Sequence, residues 1–298
     1  MAFGLWKPRH TNRQQLSSEN LAETLPALFL RAQQIANTAS TGVHGRHKSG
    51  VGEDFWQFKL YTQGESTNKI DWRQSAKRKD LHIRQHELET NESVWFWLDK
   101  GLSMNYRSPL SDISKLDQTR TLFLALALLL NRGYEDYTLL ESGEAAAHGV
   151  SHIHHFAKLL MQENKSEFGT ILEEGNIPKK SRLLVASDFL TPLQDLKTNL
   201  QAAAASGLNG VLLHVADPAE TSLPFSGRVQ FTDLSGTPNL TIGNVEKIRS
   251  DYRTLFNQHK SGVEQLARDY GWRYVFHKTD DNAAAVLATL YRHLSGEK

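Results

Sequence analysis

The residues best placed to do chemistry are Asp99 and Ser103, which follow the apolar run Val94-Trp-Phe-Trp-Leu98 as Asp99-Lys-Gly-Leu-Ser103. A carboxylate at the end of a buried strand, with a hydroxyl four residues on, supplies the oxygen donors from which divalent-metal loops are built. A second carboxylate, Asp188, closes the apolar run Leu183-Leu-Val-Ala-Ser187. Mg²⁺ takes oxygen ligands in octahedral array and keeps several waters, so a few carboxylates and hydroxyls from separate loops suffice for it, and Mn²⁺ favours the same oxygen donors. A second role is open to the same residue types: Asp and Ser commonly cap the helix that follows a strand, and then bind no ion.

Other constellations carry less. Gly50-Val-Gly52 sits in a basic stretch, but no apolar strand precedes it and no Gly-Lys-Ser/Thr closes it, so the nucleotide-binding signatures are missing. It reads as tight turns. His152, His154 and His155 crowd one helix start, yet spacings of two and three do not give the paired face of a His-Glu-x-x-His zinc helix. No Gly-x-Ser-x-Gly elbow anchors a serine triad. The absence of cysteine excludes disulfides, thiolate metal sites and cysteine nucleophiles. Between Lys59 and Arg84, seven basic residues stand against three acidic ones with Trp72 among them. Such a mix binds single-stranded nucleic acid by charge and stacking, but a solvated face with a core tryptophan is the expectation. Over the whole chain 34 basic and 33 acidic side chains nearly cancel, so no global field draws it to nucleic acid or an anionic membrane.

The elements that must position Asp99 and Asp188 are legible in the apolar pattern. Residues 93–98, 136–142, 182–187, 210–216 and 272–277 read as strands. Helices are expected near 112–132, 151–163, 192–206, 245–270 and 281–295. This alternation implies an α/β fold with a mainly parallel sheet covered by helices on both faces. In such sheets ligands bind outside the carboxyl ends of the strands, where Asp99 and Asp188 both fall. The run Leu122 to Leu130 is about half of the roughly 20 residues that cross a bilayer and reads as a buried helix. Residues 18–38 carry apolar positions at helical spacing, and 55–89 read as short strands joined by a turn at Gly64. The stretch from Ser222 to Thr241 reads as an added hairpin or a long connection. The expected domains are therefore 1–92, a helix with a small β-rich lobe, and 93–298, the α/β domain. Met1-Ala-Phe-Gly-Leu-Trp-Lys-Pro8 lacks the apolar core of a secretion signal, so a cytoplasmic, unanchored protein is expected.

Three motifs occur in order: Gly50-x-Gly52-x-x-Phe55, Tyr61-x-x-Gly64-Glu65 and Ile70-Asp71-Trp72-x-x-Ser75-Ala76. With His214-Val-Ala-Asp217-Pro218, Leu223-Pro-Phe225 and Gly271-Trp272, they make the chain resemble the bacterial family called domain of unknown function fifty-eight over roughly residues 40–294. Glu65 stands where relatives usually carry Asp. The resemblance implies a von Willebrand factor type A-like, Rossmann-like sheet and an association with MoxR-type AAA+ ATPases. The type A metal site uses Asp-x-Ser-x-Ser, a Thr before a later helix and an Asp after a later strand. Here Asp99 and Ser103 match the first loop, Asp188 matches the later Asp, and Ser151 is a weak stand-in for the Thr. Gly101 replaces the first serine and removes one oxygen ligand, and Lys100 adds a cation beside it. In relatives Ile-Asp-Trp is a hallmark, so Asp71, Trp72 and Arg73 are candidates to lock the lobe to the sheet domain or to bind a partner. The function implied is a non-enzymatic adaptor for a MoxR-type ATPase and a client, with Mg²⁺ or Mn²⁺ completed by a partner carboxylate. The alternative is a metal-assisted phosphoester hydrolase or nuclease using Asp99 and Asp188.

Overall fold

Val94-Trp-Phe-Trp-Leu98 is apolar at every position, as expected of a strand buried on both faces. In the structure, a computed structural model, it is strand β3 (Val94–Leu98), next to the central strand of the main sheet. The described residues are 18–40, 55–60, 82–86, 93–163, 167–174, 177–178, 181–232 and 240–295. The sheet is wholly parallel, in the order β4 (Tyr137–Leu139), β3, β5 (Arg182–Ser187), β6 (Asn209–Ala216) and β9 (Arg273–Lys278).

Alternation along the strands splits the core in two. Val94, Phe96, Leu98, Leu184, Ala186, Val211 and Leu213 face one side. There they meet α2 (Lys115–Arg132), α3 (Val150–Met161) and α8 (Ala283–Leu294). Trp95, Trp97, Leu183, Val185 and Leu212 face the other. They pack on α4 (Phe168–Glu174), α5 (Leu193–Ala205) and α7 (Arg249–Asp269). Helices on both faces of a parallel sheet make the layers Rossmann-like.

A further helix, α1 (Ser18–Ser40), lies outside α2 and α8. Ala32, Ala36 and Ala39, at helical spacing, are buried in the same core as β3 and α2. This explains why α2 is buried nearly all round, its polar first turns included: it is covered on its outer side as well as by the sheet. Grouped by sequence with the amino-terminal lobe, α1 packs as a layer of the sheet domain. From the lobe, β1 (Phe55–Leu60) and β2 (His82–His86) pair antiparallel, as the short-strand reading expects. Gly50, Gly52, Gly64, Glu65, Asp71, Trp72 and Arg73 lie outside the described residues.

Element boundaries follow the sequence closely, with three differences. The fourth strand ends at Leu139, and Leu140–Ser142 is a 3-10 turn. Gly143 then adopts φ 67° and sends the chain back, so that Ala147 bridges Tyr137 antiparallel. The short helices α4 and α6 (Pro218–Ser222) are additions. The segment after Ser222 does form a hairpin, β7 (Val229–Phe231) with β8 (Leu240–Ile242). Among the described residues no helix is long and apolar enough to cross a membrane.

Candidate functional site

Strands β3, β5 and β6 are parallel neighbours, so their carboxyl ends open on one edge. The first residue beyond each is an aspartate: Asp99, Asp188 and Asp217. Sequence reasoning had the first two; sheet order adds the third.

Each carboxylate is engaged. Asp99 accepts the Gly101 N–H at 2.7 Å through Oδ1 and the Ser187 hydroxyl at 2.7 Å through Oδ2. A Cβ at Gly101 would stand 2.9 Å from Asp99 Oδ1 and 3.8 Å from Ser103 Oγ. The loop therefore brings Asp99 and Ser103 to the same glycine. Asp217 caps α6, accepting the Ala219 N–H at 2.8 Å, while Glu220 Oε2 accepts the Asp217 N–H at 2.8 Å. The other Asp217 oxygen accepts the Ser108 N–H at 2.9 Å, tying the loop after β3 to the loop after β6.

Asp188 has a different partner. Its Oδ2 accepts a hydrogen bond from Lys115 Nζ at 2.9 Å, and Lys115 Nζ also donates to Glu220 Oε1 at 2.5 Å. The Lys115 side chain is 0% exposed, against 5% for Asp188 and 19% for Glu220. A buried ammonium with two carboxylates is the pairing that makes burial of such charge tolerable. Burial pushes the Glu220 carboxyl up, with the Lys115 ammonium opposing it. Tyr252, which donates to the Glu220 carbonyl at 2.7 Å, is pushed up to about 12 by burial and then by the Glu220 charge. Lys100 forms a second buried pair with Glu141; burial lowers its pKa and Glu141 opposes the shift.

The turn after β5 is strained. Phe189, a non-glycine residue, has φ 47°, in the left-handed region. Its N–H donates to Ser187 Oγ at 3.0 Å and its carbonyl accepts from His259 Nε2 at 2.6 Å. The Leu190 N–H reaches Asp188 Oδ1 at 3.3 Å.

A divalent ion needs several oxygen lone pairs converging on one point at about 2.0–2.6 Å. The sequence-expected carboxylates are already engaged with donors of the protein itself. Both Asp99 oxygens hold hydrogen-bond donors, and Asp188 faces an ammonium that would repel a second cation. Among the described residues no group of three or more His, Asp or Glu side chains is arranged to hold a metal ion. Ser151 is not brought to the site. The backward turn at Gly143 carries α3's start to the amino edge, where the Gly149 N–H meets Asn131 at the end of α2 and His152 meets the Tyr137 carbonyl at 2.7 Å. The three histidines there fan apart, with His154 on the Phe29 ring and His155 on Glu144.

The family described as Protein of unknown function DUF58 matches residues 57–262 of the 298. The chain belongs to the DUF58 family. Among its relatives, Uncharacterized protein Rv1480 of Mycobacterium tuberculosis (strain H37Rv) is 22% identical over 282 residues, which is 90% of this chain and 88% of that protein. Uncharacterized protein Mb1516 of Mycobacterium bovis matches with the same figures. Of the solved structures, the conserved hypothetical protein BatB from Bacteroides thetaiotaomicron aligns with a TM-score of 0.45 at 15% identity. That alignment covers 68% of this chain and 98% of that one. An aerotolerance-related membrane protein from Bacteroides fragilis aligns with a TM-score of 0.42, also at 15% identity.

For this DUF58 chain, sequence reasoning missed Lys115, Glu220, Asp217 and Glu141. Two signals were present. Lys115 is the first residue of α2, after the Ser114 cap, where the helix dipole disfavours a cation and so asks for nearby carboxylates. Asp217-Pro-Ala-Glu220 carries the cap, proline and reciprocal acid of a helix start.

Proposed function

We propose that this DUF58 chain is a non-enzymatic adaptor that binds a MoxR-type AAA+ ATPase and a client protein at the carboxyl edge of a von Willebrand factor type A-like sheet. The ATPase as partner comes from the family resemblance, whose members are commonly associated with such ATPases. The place of binding rests on one observation: two large apolar side chains, Leu110 at 52% and Leu190 at 57% exposure, stand on the loops that follow adjacent strands β3 and β5. Beneath them the polar groups are closed on one another, and strain is held at Phe189. Strained backbone persists where surrounding contacts over-determine it, and such turns cluster at active sites, ligand clamps and switch regions. Apolar anchors on braced loops suit protein contact, whereas hydrolysis would need an unengaged base or nucleophile beside a substrate cleft.

The test is co-elution of the purified chain with the MoxR-type ATPase encoded in the same genome, with phosphoester turnover assayed in parallel. Co-elution without turnover is expected. A chain that fails to co-elute contradicts the adaptor reading. Turnover that needs Mg²⁺ or Mn²⁺ and is lost on Asp99→Ala would establish the hydrolase alternative instead.

A further inference from the structure

We propose that the Lys115 ammonium is the resident cation of the carboxyl edge, a tethered replacement for the divalent ion that this kind of strand-end carboxylate cluster otherwise invites. Three observations converge on it. Lys115 Nζ lies between Asp188 and Glu220, at 2.9 Å and 2.5 Å, with its side chain fully buried. It belongs to the first turn of α2, where a cation meets an unfavourable helix dipole that those two carboxylates, with the Tyr106 ring 5.9 Å from Nζ, offset. The oxygen that a type A loop would contribute at position 101 is absent, and a Cβ there would press on Asp99 Oδ1 at 2.9 Å. The cluster has therefore exchanged an ion that comes and goes for a charge carried on the chain.

The consequence is a site indifferent to chelators and to divalent-ion concentration. Removing the ammonium reverses this. With alanine at 115, two carboxylates face a space the size of a lysine stem, which admits waters. A small divalent cation that keeps several waters and takes one or two carboxylates suits that space. The carboxylate pair belongs to the edge proposed above for partner binding. Occupancy by a cation is independent of any partner, so the failure of either proposal can be told from that of the other.

The experiment is calorimetric titration of Mn²⁺ into wild type, Lys115→Ala, Lys115→Arg and the double variant Lys115→Ala with Asp188→Asn. Saturable binding with a dissociation constant of about 1 mM or tighter is expected for Lys115→Ala alone, at least about tenfold tighter than for any of the others. If Lys115→Ala does not fold by itself, its refolding in the presence of Mn²⁺ is followed by circular dichroism, and rescue is expected. Saturable wild-type binding of Mn²⁺ as tight as that of Lys115→Ala would overturn the proposal. So would a Lys115→Ala chain that neither binds Mn²⁺ nor is rescued by it.

Discussion

At the scale of single residues, buried charge is the governing term. Lys115 compensates Asp188 and Glu220 in a place that water barely reaches. Replacing it by the near-isosteric Met removes the cation and leaves two buried carboxylates without one. Breaking a buried pair in this way costs about 3–5 kcal/mol, so Lys115→Met is expected to shift the urea midpoint down by that equivalent. A midpoint within about 1 kcal/mol of wild type would mean that the ammonium contributes little. Two buried histidines make a second residue-level prediction. Burial, as the leading cause, holds His214 at about 3 and His277 at about 4, both below the ordinary 6.5. Between about pH 6.5 and pH 4 the unfolded chain therefore binds more protons than the folded one, and stability falls as pH drops through that window. Each group's slope approaches about 1.4 kcal/mol per pH unit. Urea midpoints measured from about pH 7.5 to about pH 5 should fall, and less steeply for His277→Gln.

At the scale of elements, the sheet was largely legible and the site only in part. Apolar runs of five to eight residues with β-branched and aromatic content announce β3, β5 and β6, and the aspartates that follow β3 and β5 were found because strand ends are where α/β sheets bind. Lys115 was not found, because its partners lie 73 and 105 residues away along the chain. Only strand order puts them together. Ser151 was misplaced for a related reason: one left-handed glycine, Gly143, decides which edge of the sheet receives the start of α3. The strand pairing also rests on one close approach. Gly210 on β6 pairs with Leu183 on β5, and a Cβ there would meet the Leu183 carbonyl oxygen at 1.9 Å. Gly210→Ala must push the two strands apart, at the upper end of the about 1–3 kcal/mol typical of overpacking or beyond it. Thermal unfolding should show the loss, and an unchanged midpoint would mean that the strands can separate freely.

At the scale of the whole molecule, near-neutral charge and a layered core leave recognition to local features. A net charge of +1 gives no long-range steering, so a partner must be held by contacts at a defined face. The α1 layer closes one side of the molecule over α2 and α8, while the carboxyl edge carries Leu110 and Leu190 on braced loops. The measurement that bears most directly on an adaptor working through this edge is the dissociation constant for the cognate MoxR-type ATPase. It should be compared between wild type and the double variant Leu110→Asp with Leu190→Asp. Both positions are solvent-exposed, so the variant should unfold within about 0.5 kcal/mol of wild type. Recognition at the carboxyl edge predicts a loss of affinity of at least about thirtyfold, the equivalent of about 2 kcal/mol for a central apolar anchor. Unchanged affinity in a folded variant would contradict it and place the partner's contact elsewhere on the chain.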